Sequence, residues 1–104
     1  MKRGRTHELV SSNGRFGVSI LRDEHADFSA LFSGRAGSAR KPEFVVPSQA
    51  PVLRAALAWF ECERLDQHDI HDHTLFVATV TACESLDGAP LIFFASRYHD
   101  LRAT

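Results

Sequence analysis

Three runs of strand texture, residues 56–65, 74–84 and 91–98, follow one another with only the polar stretch 67–72 and the turn Asp87-Gly88-Ala89-Pro90 between them. Connections this short allow antiparallel neighbours and exclude a parallel arrangement, which needs a crossover of roughly a dozen residues or more. The second half therefore reads as an antiparallel meander. With 104 residues, 44% of them hydrophobic, the chain holds one globular domain with one modest core. The apolar runs 55–60 and 89–95 are far shorter than the roughly 20 residues that span a bilayer. The polar start, Met1 to Glu8, lacks the apolar stretch of a signal peptide, so the protein reads as cytoplasmic and without a membrane partner.

The first half is of mixed character. Thr6 can cap a short helix with Glu8 in its first turn and Asn13-Gly14 as its stop. Phe16, Val18 and Ile20 then alternate with Gly17, Ser19 and Leu21, the period of a strand with one face in the core. Asp23 is placed to cap a second helix whose Phe28, Leu31 and Phe32 share one face, with Gly34 at its end. Residues 34–51, rich in Gly, Pro and Ser, read as a long surface loop. The fold class is mainly β (α+β), with helices beside a sheet or barrel. Four strands leave unpaired edges, so closure calls for more strands than the pattern supplies.

Cys62 and Cys83 have no metal or disulfide spacing and read as reduced, buried thiols. Trp59, Phe60, Phe76, Phe93 and Phe94 read as core aromatics. His68, His71 and His73 lie among acids in a turn; polar turn residues explain them better than a metal site. Charge is uneven: residues 1–41 carry eight basic and four acidic side chains, the rest four basic and nine acidic. The basic residues are few and not interleaved with aromatics, which argues against nucleic acid as a partner. They concentrate before the first helix, where Lys2-Arg3-Gly4-Arg5-Thr6, backbone amides and the helix dipole can converge on an anion. The plainer alternative is a solvated basic terminus with Thr6 as an ordinary cap. No P-loop, dinucleotide fingerprint, nucleophile elbow or zinc-protease motif occurs.

Five segments, in order, resemble the flavin reductase-like family of FMN-binding split barrels: residues 5–10, 13–21, 51–62 and 72–77, then Pro90 to Phe94 with Arg97-Tyr98. Ser96 departs from the Gly usual before the aromatic pair. The resemblance implies an antiparallel split β-barrel with two short helices. Residues 1–104 would form the later part of that barrel, without the family's opening Ser/Thr-rich strands. It implies FMN (or FAD) as flavin and NADH or NADPH as hydride donor. It also implies a monooxygenase component as recipient of reduced flavin, and a homodimer. It assigns the flavin phosphate to Arg3, Gly4, Arg5 and Thr6, the catalytic position beside flavin and nicotinamide to His73, and cofactor contacts to Arg97 and Tyr98. The alternatives are a hairpin His bonded to Asp72, a surface Arg and a sheet-edge Tyr. For the whole chain, the alternative is a catalytically silent ligand-binding module or a fragment completed by self-association.

Overall fold

A computed structural model of the chain describes residues 5–34, 37 and 40–99. The elements are α1 (Arg5–Asn13), β1 (Arg15–Ile20), α2 (Ala26–Phe32), β2 (Phe44–Val45), β3 (Val52–Leu53), β4 (Ala58–Ile70), β5 (His73–Ser85), β6 (Ile92–Phe94) and β7 (Arg97–His99). β1, β4 and β5 form an antiparallel sheet in that order, while β2–β3 and β6–β7 are separate two-stranded pairs. Thus Ala58 to Glu63 of β4 are paired on both sides, to β1 and to β5.

The polar stretch 67–72 is mostly strand. Pairing continues to Ile70↔His73, leaving His71-Asp72 as the turn, with His71 at φ 54°. Polar side chains do not stop a ladder made of backbone bonds, and here they reinforce it: Thr74 Oγ1 donates to Asp69 Oδ1 across the hairpin at 3.0 Å. The register slips twice, between Glu61 and Cys62 and between Arg64 and Asp66. The second slip leaves Leu65 as an extra residue, so the side chains beyond it switch faces.

The expected third meander strand, 91–98, folds instead as the β6–β7 hairpin and does not join the sheet. Its turn, Ala95-Ser96, places both residues in the left-handed region at φ 53° and 62°. A two-residue hairpin turn takes that conformation to match strand twist, but glycine or asparagine usually announces it. Two expectations about side chains change as well. Phe93 and Phe94 are largely exposed because their hairpin stands outside the sheet, and Cys83 is exposed where Cys62 is buried. Both cysteines are free thiols.

The core is small. Phe28 of α2, Leu53 and Ala56 form its centre, with Leu21 packed against them. The 34–51 loop gains two strand residues that pair with β3, Phe44↔Leu53 and Val45↔Val52. Position 25, not Asp23, is the N-cap of α2. Residues 22–25 close a turn in which His25 N donates to Arg22 O and Arg22 N donates to His25 Nδ1, both at 3.0 Å. His25 is fully buried and stacks on Phe28. Burial holds its pKa below the ordinary value, with Glu24 pulling the other way.

The unfolded chain therefore takes up a proton on this histidine at a higher pH than the fold does, and stability falls as pH drops through the ordinary histidine range. Thermal unfolding midpoints should decline from pH 7.5 to 5.5, and His25→Asn, which keeps an acceptor at the cap, should reduce that decline by about half or more. An equal decline in the variant would remove His25 from this role.

Candidate functional site

α1 and β1 enclose a largely apolar cleft. Thr6, Leu9, Val10 and Asn13 supply one wall, spaced i, i+3, i+4 and i+7 on a single helix face. Arg15, Phe16, Gly17 and Val18 supply the other, and Pro51 and Phe76 complete it. Its volume of about 650 Å³ lies in the range of small-molecule sites. The interior is apolar, with Thr6 at the helix start, Asn13 about 10 Å further along the helix, and Arg15 at the start of β1.

Each wall is tied to β4. Gly14, at φ 73°, ends α1 in the left-handed conformation that glycine adopts freely, and its N–H donates to Val10 O at 3.2 Å. Arg64 then caps the helix end. Its backbone N–H donates to Gly14 O, and its guanidinium donates to Ser11 O at 2.8 Å and Gln67 Oε1 at 3.0 Å. A cation there offsets the negative end of the helix dipole. His7, on the inner side of α1, leans on Phe76 with ring centres 5.7 Å apart.

The loop before β3, which leads into Pro51, is held by Glu61. Three successive backbone N–H groups, of Ser48, Gln49 and Ala50, donate to its Oε2 at 3.0, 2.6 and 2.8 Å. These bonds, that from Gln49 foremost, keep the Glu61 carboxyl below the usual range against the opposing effect of burial. Burial raises the pKa of the neighbouring Cys62 thiol.

The residues singled out in the sequence do not all meet here. Arg3 and Gly4 lie outside the described residues, and Arg5 begins α1. Thr6 lines the cleft. His73 opens β5 at the hairpin tip, exposed, with Nδ1 2.7 Å from Asp72 Oδ1. It borders a shallower hollow of about 360 Å³ with Ile70 and Leu75. Tyr98 donates its hydroxyl to Ser29 Oγ at 3.0 Å and meets the Phe93 ring edge-on, so it sits against α2, and Arg97 beside it is exposed. His68 contacts Asp66 at 3.0 Å. Among the described residues no group of three or more His, Cys, Asp or Glu side chains is placed to hold a metal ion, and no helix is long and apolar enough to cross a membrane. The short helix was legible from Thr6 and Asn13-Gly14, but its cleft-lining face, and Pro51 and Phe76 with it, emerges only in the fold.

The arrangement of a three-stranded antiparallel sheet with α1 beside its edge strand is that of the flavin reductases, and the family model for the flavin reductase like domain matches residues 1–102. The chain belongs to that family, and its fold is the flavin reductase split barrel. It is 50% identical over 103 residues to the NADH-dependent flavin reductase StyB of Pseudomonas fluorescens, a match covering 95% of this chain and 61% of StyB. The 4-hydroxyphenylacetate 3-monooxygenase reductase component of Salmonella typhimurium is 33% identical over 101 residues, covering 90% of this chain and 59% of that protein. Among solved structures, the styrene monooxygenase flavin reductase SMOB from Pseudomonas putida S12 superposes with a TM-score of 0.85 at 50% identity, covering 95% of this chain and 65% of that one. The flavin reductase PheA2 gives 0.89 at 28% identity, covering 96% and 65%. The chain thus spans less than two thirds of the length of each of these relatives.

Arg64→Met should loosen the wall that α1 forms. Its backbone bond survives but the guanidinium cap is lost, which corresponds to about 1 kcal/mol and about fivefold faster hydrogen exchange in the last turn of α1. Unchanged exchange there would show that the cap does not hold the helix.

Proposed function

We propose that this chain, as one FMN-binding domain spanning 1–104, binds FMN in the α1–β1 cleft. Hydride from NADH reduces the flavin, which then serves a monooxygenase component. The observation that carries the reading is the cleft: apolar walls of ring-system size meeting the first turn of a nine-residue helix. Support comes from the names of the relatives, an NADH-dependent flavin reductase and a monooxygenase reductase component.

The residues present suit a flavin. Leu9, Val10, Phe16, Val18 and Phe76 offer apolar surface to a planar ring and exclude water from it. The first N–H groups of α1 have no partners within the helix and, with Thr6 and the basic residues Arg3 and Arg5, suit a phosphate. Gly4 belongs to the same proposed phosphate turn. Asn13 and Arg15 supply donors at the far end. The flavin supplies the hydride acceptor, and the protein's task is placement and polarity. His73 orients the nicotinamide in this reading; Asp72 engages its Nδ1 and leaves Nε2 to meet the ligand. Arg97 pairs with the dinucleotide, carried on a hairpin that Tyr98 fastens to Ser29. A homodimer is the assembly we propose, because Val18, Ile20 and Val80 stand exposed on the sheet.

Fluorescence titration tests binding. The double variant Arg5→Ala, Thr6→Ala should weaken FMN about tenfold while leaving riboflavin almost unaffected, since only FMN carries the phosphate. Equal losses would sink the phosphate assignment. His73→Ala should slow NADH oxidation about tenfold or more at saturating FMN with flavin affinity retained, and an unchanged rate would reject its role. Flavin binding without turnover in the unaltered protein would favour a silent binding module.

A further inference from the structure

The flavin reading leaves one buried charge unused. Glu61 lies in the middle of β4, paired with Gly17 on one side and Ala82 on the other, and its side chain is only 1% exposed. Three consecutive N–H groups converging on a single oxygen form a nest, the backbone shape that elsewhere cradles anions. Here the protein's own carboxylate fills it. The other oxygen, Oε1, is buried and has no partner among the described residues. A buried carboxylate with one unsatisfied oxygen is costly, and an apolar side chain would pack the same volume without that penalty. An apolar replacement, however, would orphan the three N–H groups.

What those N–H groups position is the cleft. The next residue after the nest is Pro51, which lines it. The Pro51 carbonyl lies directly over Gly17, so that a Cβ at position 17 would stand 2.0 Å from the Pro51 oxygen. The loop can rest there only because Gly17 has no side chain, and it is held there by Glu61. We propose that Glu61 is a positioning residue for flavin binding: its carboxylate clamps residues 48–50 from beneath, and so sets Pro51 as the wall against which the ring system packs. The role rests on the flavin reading of the cleft. It differs from the phosphate assignment in acting on the ring, so it weighs equally on FMN and riboflavin.

The test uses the full chain and the variant Glu61→Gln, read by hydrogen exchange of individual amides and by fluorescence titration with both flavins. The amides of Ser48, Gln49 and Ala50 are expected to exchange about tenfold faster or more, with the β4–β5 ladder unchanged, and both flavins to bind about tenfold more weakly. Rapid exchange of these amides in the unaltered protein, or flavin affinity unchanged in the variant, would overturn the proposal. Should Glu61→Gln fail to fold, Pro51→Gly alters the same wall without touching the carboxylate. It is expected to weaken both flavins while the three amides stay protected, and retained affinity would again overturn the role. If the unaltered protein binds neither flavin, the flavin reading fails and the positioning role with it. Binding that survives in both variants removes the positioning role alone.

Discussion

β4 is the strand on which everything else is hung. Its first half is paired on both edges, and its side chains alternate between the two faces of the sheet, where other elements attach. Glu61 reaches under the sheet to the 48–50 loop, while Arg64, beside the bulged Leu65, reaches the end of α1 on the other side. Glu61 and Arg64 are three residues apart and both precede the Leu65 bulge, so ordinary strand alternation puts them on opposite faces and lets one strand hold a loop and a helix that between them make the cleft.

The stabilising interactions are correspondingly uneven. The apolar core is confined to Phe28, Leu53, Ala56 and their neighbours, beneath α2 and β3. Elsewhere the described chain relies on polar contacts: His25 closing the turn before α2, Arg22 donating to Ala55 O and Asp87 O, and the Glu61 nest. Such contacts are worth little beyond their satisfied bonds, but they are directional and select one arrangement of loops. For a protein whose proposed work is to set two rings face to face, directional loop placement matters more than additional core. The sheet face carrying Val18, Ile20 and Val80 stays open among the described residues, in keeping with a chain that spans less than two thirds of its relatives.

Much of the fold was legible from residue pattern. Asn13-Gly14 marked the end of α1, the alternation of Phe16, Val18 and Ile20 marked β1, and Gly34, at φ 76°, follows α2 as its spacing suggested. The misreadings have local causes. Residues 67–70 looked like a loop because they are polar, but strand pairing uses the backbone. Residues 91–98 looked like one strand because Ala95-Ser96 lacks a turn signal; Ser96 adopts a left-handed φ that glycine would take without strain. Of the candidate site, Thr6 and the basic residues at the start of α1 stood out in the sequence, whereas Phe76, Pro51 and Glu61 join it from positions distant in sequence.

By itself, then, the sequence determined an antiparallel, mainly β domain with two short helices, its family, and the residue types a flavin would need, because periodicity and turn chemistry are local properties of the chain. Only the tertiary structure decided where those residues stand: Thr6 in the cleft, His73 at a hairpin tip and Tyr98 against α2. It also decided that a buried Glu61 holds a cleft wall. The reason is that these placements come from contacts between segments distant in sequence, such as Glu61 with residues 48–50 and Tyr98 with Ser29, which no local pattern records.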